Sequence, residues 1–255
     1  MSDTDSNISA TALKAFTVLD IVGARAKPVS VQDVADEMGA DRATAYRMLM
    51  TLVHAGYVTR DETTKSYFLS YKILSLARNF LSDDERSTQI LHCLRVISDA
   101  TGETVHYSAL EKDCAVLVYR AKGMQRVSVD FQIGDRSPLH CTSIGKVLLA
   151  YADIRFTDQI LAGAMPKVAS RTIIDPQTMR KELALVRAQG YAFDDMEFAD
   201  DMRCLAIPVF EKGAHVPGGI AISGPSSRFD KSHLERLCDI ALPHAQELSH
   251  KLGGI

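Results

Sequence analysis

Residues 30–57 read SVQDVADEMGADRATAYRMLMTLVHAGY, and this stretch decides the fold of the N-terminal part of the chain. Ser30 can supply the N-cap oxygen of a helix, and Asp33 stands three residues later, as in the acidic variant of a capping box. This pair predicts a helix of about two turns over Val31–Met38. Gly39 then suits the left-handed conformation just past a helix end, so we expect the helix to stop there.

A second helix is expected after a turn of three residues, Gly39-Ala40-Asp41. Asp41 is its N-cap, and the helix runs from Arg42 to about His54. Its apolar residues recur at three- and four-residue steps and define one buried stripe. They are Ala45, Met48, Leu49, Leu52 and Val53. Helix, short glycine-containing turn and helix form the helix-turn-helix pattern, in which the second helix reads DNA. An apolar helical face over residues 9–25 predicts a further helix before the motif.

Two short β-prone runs surround a polar loop directly after the second helix of the motif. The runs are Tyr57–Arg60 and Tyr67–Leu69, and the loop is Asp61–Lys65. A hairpin in this position is typical of the wing of a winged helix. Residues 1–70 are therefore expected to form a winged helix-turn-helix DNA-binding domain.

Seven residues of this domain are candidates for contacting double-stranded operator DNA. Arginine can donate paired hydrogen bonds to guanine edges or phosphates, whereas threonine and tyrosine can contact phosphates or thymine methyl groups. The candidates are Arg42, Ala43, Thr44, Tyr46 and Arg47 in the second helix of the motif, and Arg60 and Lys65 in the wing. The alternative is a solvated polar face on a protein-protein adaptor.

The charge balance favours more than one copy of this domain on DNA. The whole chain has a net charge of −3, and residues 1–70 hold 7 Lys and Arg against 9 Asp and Glu. Such a balance gives no general attraction to nucleic acid, so any DNA-binding surface is local. Because so few cations give modest affinity per module, we expect a homodimer that reads two half-sites.

The rest of the chain predicts a linker helix over residues 71–86 and an α+β domain with an antiparallel sheet over residues 87–255. The expected helices of that domain are Gln89–Ala100, Ser143–Tyr151, Pro176–Gln189 and Lys231–Leu252. The expected strands are Thr104–Leu110, Ala115–Tyr119, Val127–Phe131, Tyr191–Asp194, Cys204–Phe210 and Gly218–Ser223.

Composition narrows the class of protein. With 255 residues, 46% of them hydrophobic and 24% charged, the chain is long enough for two globular domains. Its five cysteines form no CxxC pair and its eight histidines no HxxxH pair, so we expect neither a metal site nor a cofactor. No apolar run reaches the roughly 18 to 20 residues of a membrane span, and the polar N-terminus is unlike a secretory leader. We therefore expect a cytoplasmic protein without a membrane partner.

His140 beside Cys141 raises the alternative of an enzyme that turns over a small acid near Asp194. Adjacent residues on a strand point to opposite faces, however, so a packed histidine is favoured and no catalytic residue is expected. The neighbouring acidic residues are Asp194, Asp195, Glu197, Asp200 and Asp201. They lack the glycine-punctuated spacing of a calcium loop, so all but Asp194 are interpreted as a solvated acidic loop.

Several blocks of sequence, in order along the chain, carry a family resemblance. They are Ser30–Ala35, Arg42–Leu49, Leu52–Tyr57, Pro138–Lys146, Gly190–Asp195, Arg203–Val209 and Ser223–Pro225. Through these blocks the whole chain resembles the IclR family of bacterial transcriptional regulators. The resemblance implies a GAF-like effector-binding domain, dimers or dimers of dimers, and control by a small organic acid, with repression commoner than activation.

The resemblance also implies where a carboxylate effector binds. Residue by residue, the site falls on Ser143, Ile144, Asp194, Cys204, Ala221 and Ser223. Amides at the start of the helix suit a carboxylate, Ser223 can donate a hydrogen bond, and Asp194 can accept one from a hydroxyl or amine. Ala221 and Ile144 replace a serine and a smaller residue of small-acid binders, so the site loses a hydroxyl and gains apolar surface. This predicts an effector with more carbon, such as an aromatic acid.

Overall fold

A computed structural model describes residues 8–81 and 84–254 of the chain. The chain divides into two compact units between residues 82 and 83. The N-terminal unit contains α1 (Ala10–Gly23), α2 (Val31–Met38), α3 (Arg42–His54), β1 (Val58–Arg60), β2 (Tyr67–Leu69) and α4 (Lys72–Leu81). Helices α2 and α3 with the β1–β2 hairpin form a winged helix-turn-helix, as predicted.

The ends of α2 and α3 follow from their capping residues. Ser30 and Asp33 form a complete capping box, in which each side chain accepts from the backbone of the other residue. Gly39 ends α2 with φ of 61°, a left-handed conformation that glycine adopts without a Cβ clash. Asp41 Oδ1 then accepts from Thr44 N at 2.8 Å and starts α3. Two helices are thus joined by a turn of fixed geometry.

A small apolar core holds the N-terminal unit together. The stripe on α3 packs against α1, α2 and the wing, and its members Ala45 and Leu49 are fully buried. Tyr67 of β2 joins the same core, and its backbone pairs with Val29. Because one face of α3 is used for packing, its opposite face is left for solvent or a partner.

The C-terminal unit begins with α5 (Glu85–Thr101) and alternates strands and helices. It continues through β3 (Val105–Glu111), β4 (Cys114–Ala121), β5 (Arg136–Pro138), α6 (Ser143–Tyr151), α7 (Ile154–Ala162), α8 (Pro176–Gln189), β6 (Ala192–Asp195), β7 (Met202–Glu211), β8 (His215–Pro225) and α9 (Lys231–Lys251). The strands form one antiparallel sheet of six, in the order β5-β4-β3-β8-β7-β6. This is the expected GAF-like α+β architecture.

The two faces of this sheet are covered by different helices. Tyr107 and Ile222 belong to the face that packs against α5 and α9. Ala206 and Ala221 belong to the face that packs against α6 and α8. Since successive residues of a strand point to opposite faces, each central strand contributes to both cores. The face beneath α6 is the one that carries the ligand-site residues expected from the sequence.

The start of α5 and the end of the linker helix differ from the sequence expectations. Helix α5 begins at Glu85 rather than Gln89, because Asp84 accepts from Ser87 N and caps it. Residues 85 and 86 therefore belong to α5 and not to the linker helix that was expected over 71–86. The linker helix itself is α4, which is described as far as Leu81.

Two elements of the sheet domain were also mispredicted. Val127–Phe131 is not a strand but part of the connection between β4 and β5, where the Phe131 ring packs against His106. The strand in this region is β5, which pairs with the start of β4. Helix α7, capped by Asp153, was not expected. The strand was misplaced because packing between distant segments, and not local propensity, decides which short apolar segment joins the sheet.

Candidate nucleic-acid interface and ligand cavity

The open face of α3 presents most of the residues predicted to contact DNA. Arg42, Ala43, Tyr46 and Arg47 are exposed, and Tyr46 keeps 44% of its accessible surface. The Thr44 hydroxyl is different, since it is half-buried and donates to Asp41 Oδ2 at 2.8 Å. Thr44 therefore caps α3, and the other four predicted residues of α3 are available to a partner.

A groove between the start of α3 and the wing brings five of the seven predicted DNA contacts together. Arg42, Ala43 and Tyr46 line one side, and Arg60 and Lys65 line the other. The remaining two predicted residues lie outside this groove. The start of α2 completes its wall, as the capping-box serine is also part of the lining.

The two wing cations, Arg60 and Lys65, are held by one carboxylate. Glu62 Oε1 lies 3.5 Å from Arg60 Nη1, and Glu62 Oε2 accepts from Lys65 Nζ at 2.9 Å. These contacts, with the nearby charges, lower the pKa of Glu62, which is therefore ionised at neutral pH. The positive charge that the wing offers to phosphates is thus partly neutralised before DNA arrives.

A cavity lies between the first turn of α6 and the sheet, and we call it the α6 cavity. All six predicted effector residues line it, namely Ser143, Ile144, Asp194, Cys204, Ala221 and Ser223. Sequence reasoning missed further lining residues, among them His106, Ser108, Phe131, Thr142, Phe198 and Met202. The volume is about 20 Å³, which is room for about one water molecule.

The start of α6 is aimed at this cavity by a side-chain cap and a close backbone contact. Thr142 Oγ1 accepts from Gly145 N at 3.1 Å and donates to Pro138 O at 2.8 Å. A Cβ on Gly145 would collide with the backbone of Leu139, so only glycine allows α6 to lie this close to the preceding segment. The first turn of α6 thus lines the cavity through Ser143 and Ile144.

Asp194 is the most perturbed acid of the cavity. Its side chain is fully buried, and Oδ1 accepts from Glu197 N at 2.7 Å and from Phe198 N at 3.3 Å. Oδ2 is buried and has no hydrogen-bond partner in the described part of the chain. Burial raises the pKa of Asp194 to about 7, since the backbone hydrogen bonds offset only part of the cost of desolvation. The acid is thus poised between its charged and neutral forms.

Beside Asp194, β7 and β8 supply two weakly polar groups. The Cys204 thiol donates to Ser223 Oγ at 3.1 Å. Burial raises the pKa of the Cys204 thiol well above its usual range, so the sulfur stays protonated at neutral pH. The register Asp194–Cys204–Ser223 places these three side chains in one row across β6, β7 and β8.

An ion cluster supports the cavity from behind. Lys146 is fully buried, and its Nζ donates to Glu182 Oε1 at 2.9 Å and to Glu197 Oε1 at 2.7 Å. Glu197 is therefore not part of a solvated loop, which corrects the sequence interpretation. Asp195 is also engaged, because Arg203 Nε donates to its Oδ1 at 2.5 Å. Glu197 and Asp195 of the acidic run are thus held by cations from α6 and β7.

The neighbouring His140 and Cys141 are packed rather than reactive. They lie in the bend between β5 and α6, not on a strand, and His140 Nε2 is hydrogen-bonded to Pro166 O at 3.0 Å. Burial raises the pKa of the Cys141 thiol to about 12, so no thiolate is available at neutral pH. Over residues 8–81 and 84–254, the His, Cys, Asp and Glu side chains form no group that could hold a metal ion.

Comparisons with known families agree with this geometry. The model of the IclR helix-turn-helix domain matches residues 11–62, and that of the bacterial transcriptional regulator IclR C-terminal domain matches residues 83–250. The chain belongs to the IclR family. It is thus a DNA-binding transcriptional regulator rather than an enzyme.

Individual relatives within the IclR family match almost the whole chain. The HTH-type transcriptional regulator KdgR of Escherichia coli is 32% identical over 244 residues, covering 94% of this chain and 92% of the relative. The crystal structure of Thermotoga maritima IclR is 27% identical with a TM-score of 0.77, covering 95% and 98% of the two chains. An IclR homologue from Microbacterium hydrocarbonoxydans, complexed with 4-hydroxybenzoate, is 20% identical with a TM-score of 0.76, covering 94% and 100%, and shares the fold.

The helices described over residues 8–81 and 84–254 include none that combines the length and apolar character needed to cross a membrane.

Proposed function

We propose that this protein is a ligand-responsive repressor that binds operator DNA as a homo-oligomer and senses a small organic acid in the α6 cavity. The observation that carries the proposal is the convergence of all six predicted effector residues on one cavity, with the partnerless Asp194 Oδ2 inside it. The proposed domains are a winged helix-turn-helix over residues 1–70, a linker helix from residue 71, and a sensor domain up to residue 255. Its proposed place of action is the cytoplasm, where operator DNA is accessible.

The proposed reader is the groove between α3 and the wing together with Arg47, which is exposed on α3 outside the groove. Arg42 and Arg47 form no ion pair within residues 8–81, so both guanidinium groups are free to bind bases or phosphates. The wing cations add backbone contacts, although Glu62 reduces their charge. Two free arginines on the reading helix of each subunit support a homo-oligomer, because useful affinity then requires two linked half-sites.

The proposed sensor binds a carboxylate at the first-turn amides of α6 and a donor group at Asp194. Aromatic rings of Phe131 and Phe198 lie 6.3 Å apart at the cavity, and Phe131 also meets the His106 ring. These rings, together with the 4-hydroxybenzoate bound by the Microbacterium homologue, support an aromatic acid as effector. Because the cavity volume of about 20 Å³ is too small for an aromatic acid, we expect Phe131 to move when an acid binds.

The test is fluorescence anisotropy of the full chain on labelled duplexes from the region upstream of its own gene. We expect sequence-specific binding that weakens as salt rises, because phosphate contacts release counterions. Addition of an aromatic or aliphatic acid should change the DNA affinity, and DNA should change the acid affinity by the same factor. Absence of specific binding with every acid would favour the adaptor interpretation. Transcription in vitro with and without the acid tests the proposed repression.

Replacing both free arginines of α3 tests the reader directly. Arg42→Ala with Arg47→Ala should weaken specific DNA binding at least about 100-fold, since each base or phosphate contact is lost in every subunit. The matched control is Arg155→Ala in α7, which removes an arginine whose side chain is 89% exposed and pairs only with Asp153 in the described ranges. The control should bind DNA like the wild type.

A further inference from the structure

The C-terminal end of the reading helix α3 is closed first by a backbone motif. Gly56 follows the helix in a left-handed conformation, with φ of 81°. Its N–H donates to Val53 O at 2.9 Å, and the next amide, that of Tyr57, donates to Leu52 O at 2.9 Å. This is the Schellman pattern, which satisfies two of the last carbonyls of the helix. The carbonyls of Ala55 and Gly56 lie beyond its reach and need other donors.

Side chains at the start of α4 supply those donors. Lys72 Nζ donates to Ala55 O at 2.7 Å, and the same ammonium group lies 4.3 Å from the centre of the Tyr57 ring. Ser70 Oγ donates to Gly56 O and accepts from Lys72 N at 3.2 Å. A cation is favourable here, because the carbonyl end of a helix carries partial negative charge and an aromatic face attracts an ammonium group. We call Ser70 and Lys72 the α3–α4 clasp.

The α3–α4 clasp acts where α4 is not held by an apolar core. None of the side chains described in α4, over residues 72–78, is buried. The stem of Lys72 lies against the turn after α3, since a Cβ on Gly56 would be 3.5 Å from Lys72 Cδ. Because core packing within the described chain does not orient α4, the angle between α3 and α4 depends on the clasp.

The clasp is remote from the reading groove. Arg42, Ala43 and Tyr46 line the groove at the start of α3, and its described lining does not include Lys72. Lys72 binds the opposite end of a helix of 13 residues, which is about 20 Å long. An effect of Lys72 on the base contacts of Arg42 must therefore pass through the orientation of α3.

We propose that Lys72 is a positioning residue of the DNA reader. Together with Ser70 it holds the end of α3 against the start of the linker helix, and so it fixes the angle at which the first turn of α3 meets base edges. Its direct partner is the recognition helix and not DNA. This inference rests on the DNA-binding part of the proposed function and is independent of the effector.

The test is fluorescence anisotropy of the full chain on two labelled duplexes at several salt concentrations. One is the upstream duplex that the wild type binds most tightly, and the other has the same length and base composition in scrambled order. Lys72→Met keeps most of the aliphatic stem but removes the donor and the charge. It should weaken binding to the upstream duplex about tenfold or more, because a misplaced α3 loses base contacts. Binding to the scrambled duplex should change little, since phosphate contacts tolerate small shifts in orientation.

Two further variants and a control separate positioning from charge. Lys72→Arg should restore most of the lost affinity, because a guanidinium group can also donate to Ala55 O and stack on Tyr57. Ser70→Ala should weaken binding to the upstream duplex in the same way, although less. Lys14→Met is the matched control, since it makes the same change at an exposed lysine of α1. It should keep the wild-type ratio of the two affinities.

Each other outcome overturns the inference. If Lys72→Met weakens both duplexes by the same factor and reduces the salt slope by about one, Lys72 contacts a phosphate instead. The inference is also wrong if Lys72→Met keeps the wild-type affinities, or if Lys72→Arg restores nothing. If the wild type binds both duplexes equally, the proposed reader fails together with the inference. Should circular dichroism show Lys72→Met unfolded at the assay temperature, the ratio for Ser70→Ala decides.

Discussion

Replacing Asp194 with asparagine is expected to stabilise the ligand-free protein at pH 8 while it weakens the sensor. Asp194 is fully buried, and its Oδ2 has no partner in the described part of the chain. Because burial raises its pKa to about 7, the folded protein holds this proton more tightly than the unfolded chain does. The contribution of Asp194 to the free energy of unfolding therefore falls as the pH rises from about 4 to about 7. Above pH 7 the full destabilisation by the buried carboxylate is present.

The magnitude follows from the pKa difference. The shift from the ordinary value of 3.8 to about 7 corresponds to about 4 kcal/mol at pH 8, at about 1.4 kcal/mol per unit. Asparagine avoids this cost, but its amide group has no partner where Oδ2 lay, which costs about 1–3 kcal/mol. The variant should thus be more stable than the wild type by about 1–3 kcal/mol at pH 8. At pH 5 the two should be about equal, or the variant slightly less stable.

The assay is urea unfolding of the full chain followed by circular dichroism at pH 5, 6, 7 and 8. The quantity of interest is the free energy of unfolding of Asp194→Asn minus that of the wild type, so that all other titrating groups cancel. Asp200→Asn is the matched control in the same segment. Its carboxylate is exposed and accepts from Ser170, which lowers its pKa, so its difference should not rise between pH 5 and 8.

A difference that stays constant from pH 5 to 8 for Asp194→Asn would refute the reasoning, since it would mean that Asp194 is ionised in both states throughout. The same variant should bind acids more weakly than the wild type, because an amide cannot supply the charged acceptor. Gain of stability with loss of binding would identify Asp194 as a functional residue retained at a cost to the fold.

Three further outcomes are expected in other parts of the molecule. Glu62→Gln frees the two wing cations and should tighten DNA binding by about a few fold at low salt, with a smaller gain at high salt, as measured by anisotropy. Arg228→Ala should reduce the free energy of unfolding by about 3–5 kcal/mol in urea titrations, because it removes both guanidinium hydrogen bonds from the fully buried Glu103 carboxylate and leaves it, in the described part of the chain, only His233 Nε2, 3.7 Å away. Gly145→Ala should reduce it by about 1–3 kcal/mol, because the added methyl group meets the backbone of Leu139.

Each of these outcomes can be contradicted by its own control. Glu62→Asp should keep the wing cations paired, so an equal tightening by both variants would refute the electrostatic explanation. Arg155→Ala removes an exposed arginine and should leave the free energy of unfolding unchanged. If Arg228→Ala changes the free energy of unfolding no more than Arg155→Ala does, the buried ion pair does not contribute to stability. Gly145→Ala with wild-type stability would show that the segment before α6 can shift without cost.

Sequence signals that act over a few residues were enough to predict the helix-turn-helix of the N-terminal unit. Ser30, Asp33, Gly39 and Asp41 are capping residues whose effect depends on neighbours three or four positions away, so the bounds of α2 and α3 were predicted correctly. In the C-terminal unit, by contrast, β3 pairs with β8, which lies more than 100 residues away. The strand expected over Val127–Phe131 was misplaced because β4 pairs with Arg136–Pro138 instead, and strand propensity alone does not decide between two short segments.

The ligand site shows the same difference between what local sequence signals predict and what long-range contacts decide. The family resemblance, carried by sequence blocks alone, led to all six predicted residues that line the α6 cavity. The cavity residues His106 and Ser108 were not found, although a signal was present, because they are polar residues at alternate positions of a strand whose other face is apolar. Without the sheet order, nothing indicates that this polar face meets α6 rather than solvent.

The sequence by itself determined the helix-turn-helix, the family and the residue types of the sensor, because capping, periodicity and short motifs act over a few residues. Tertiary structure alone decided that Lys146 and Glu197 form a buried ion pair, that Asp194 lies beside them without a partner for Oδ2, and that β3 completes the cavity. The physical reason is that burial, and with it the pKa of a carboxyl group and the cost of an unpaired atom, depends on segments that are distant in sequence and adjacent only after folding.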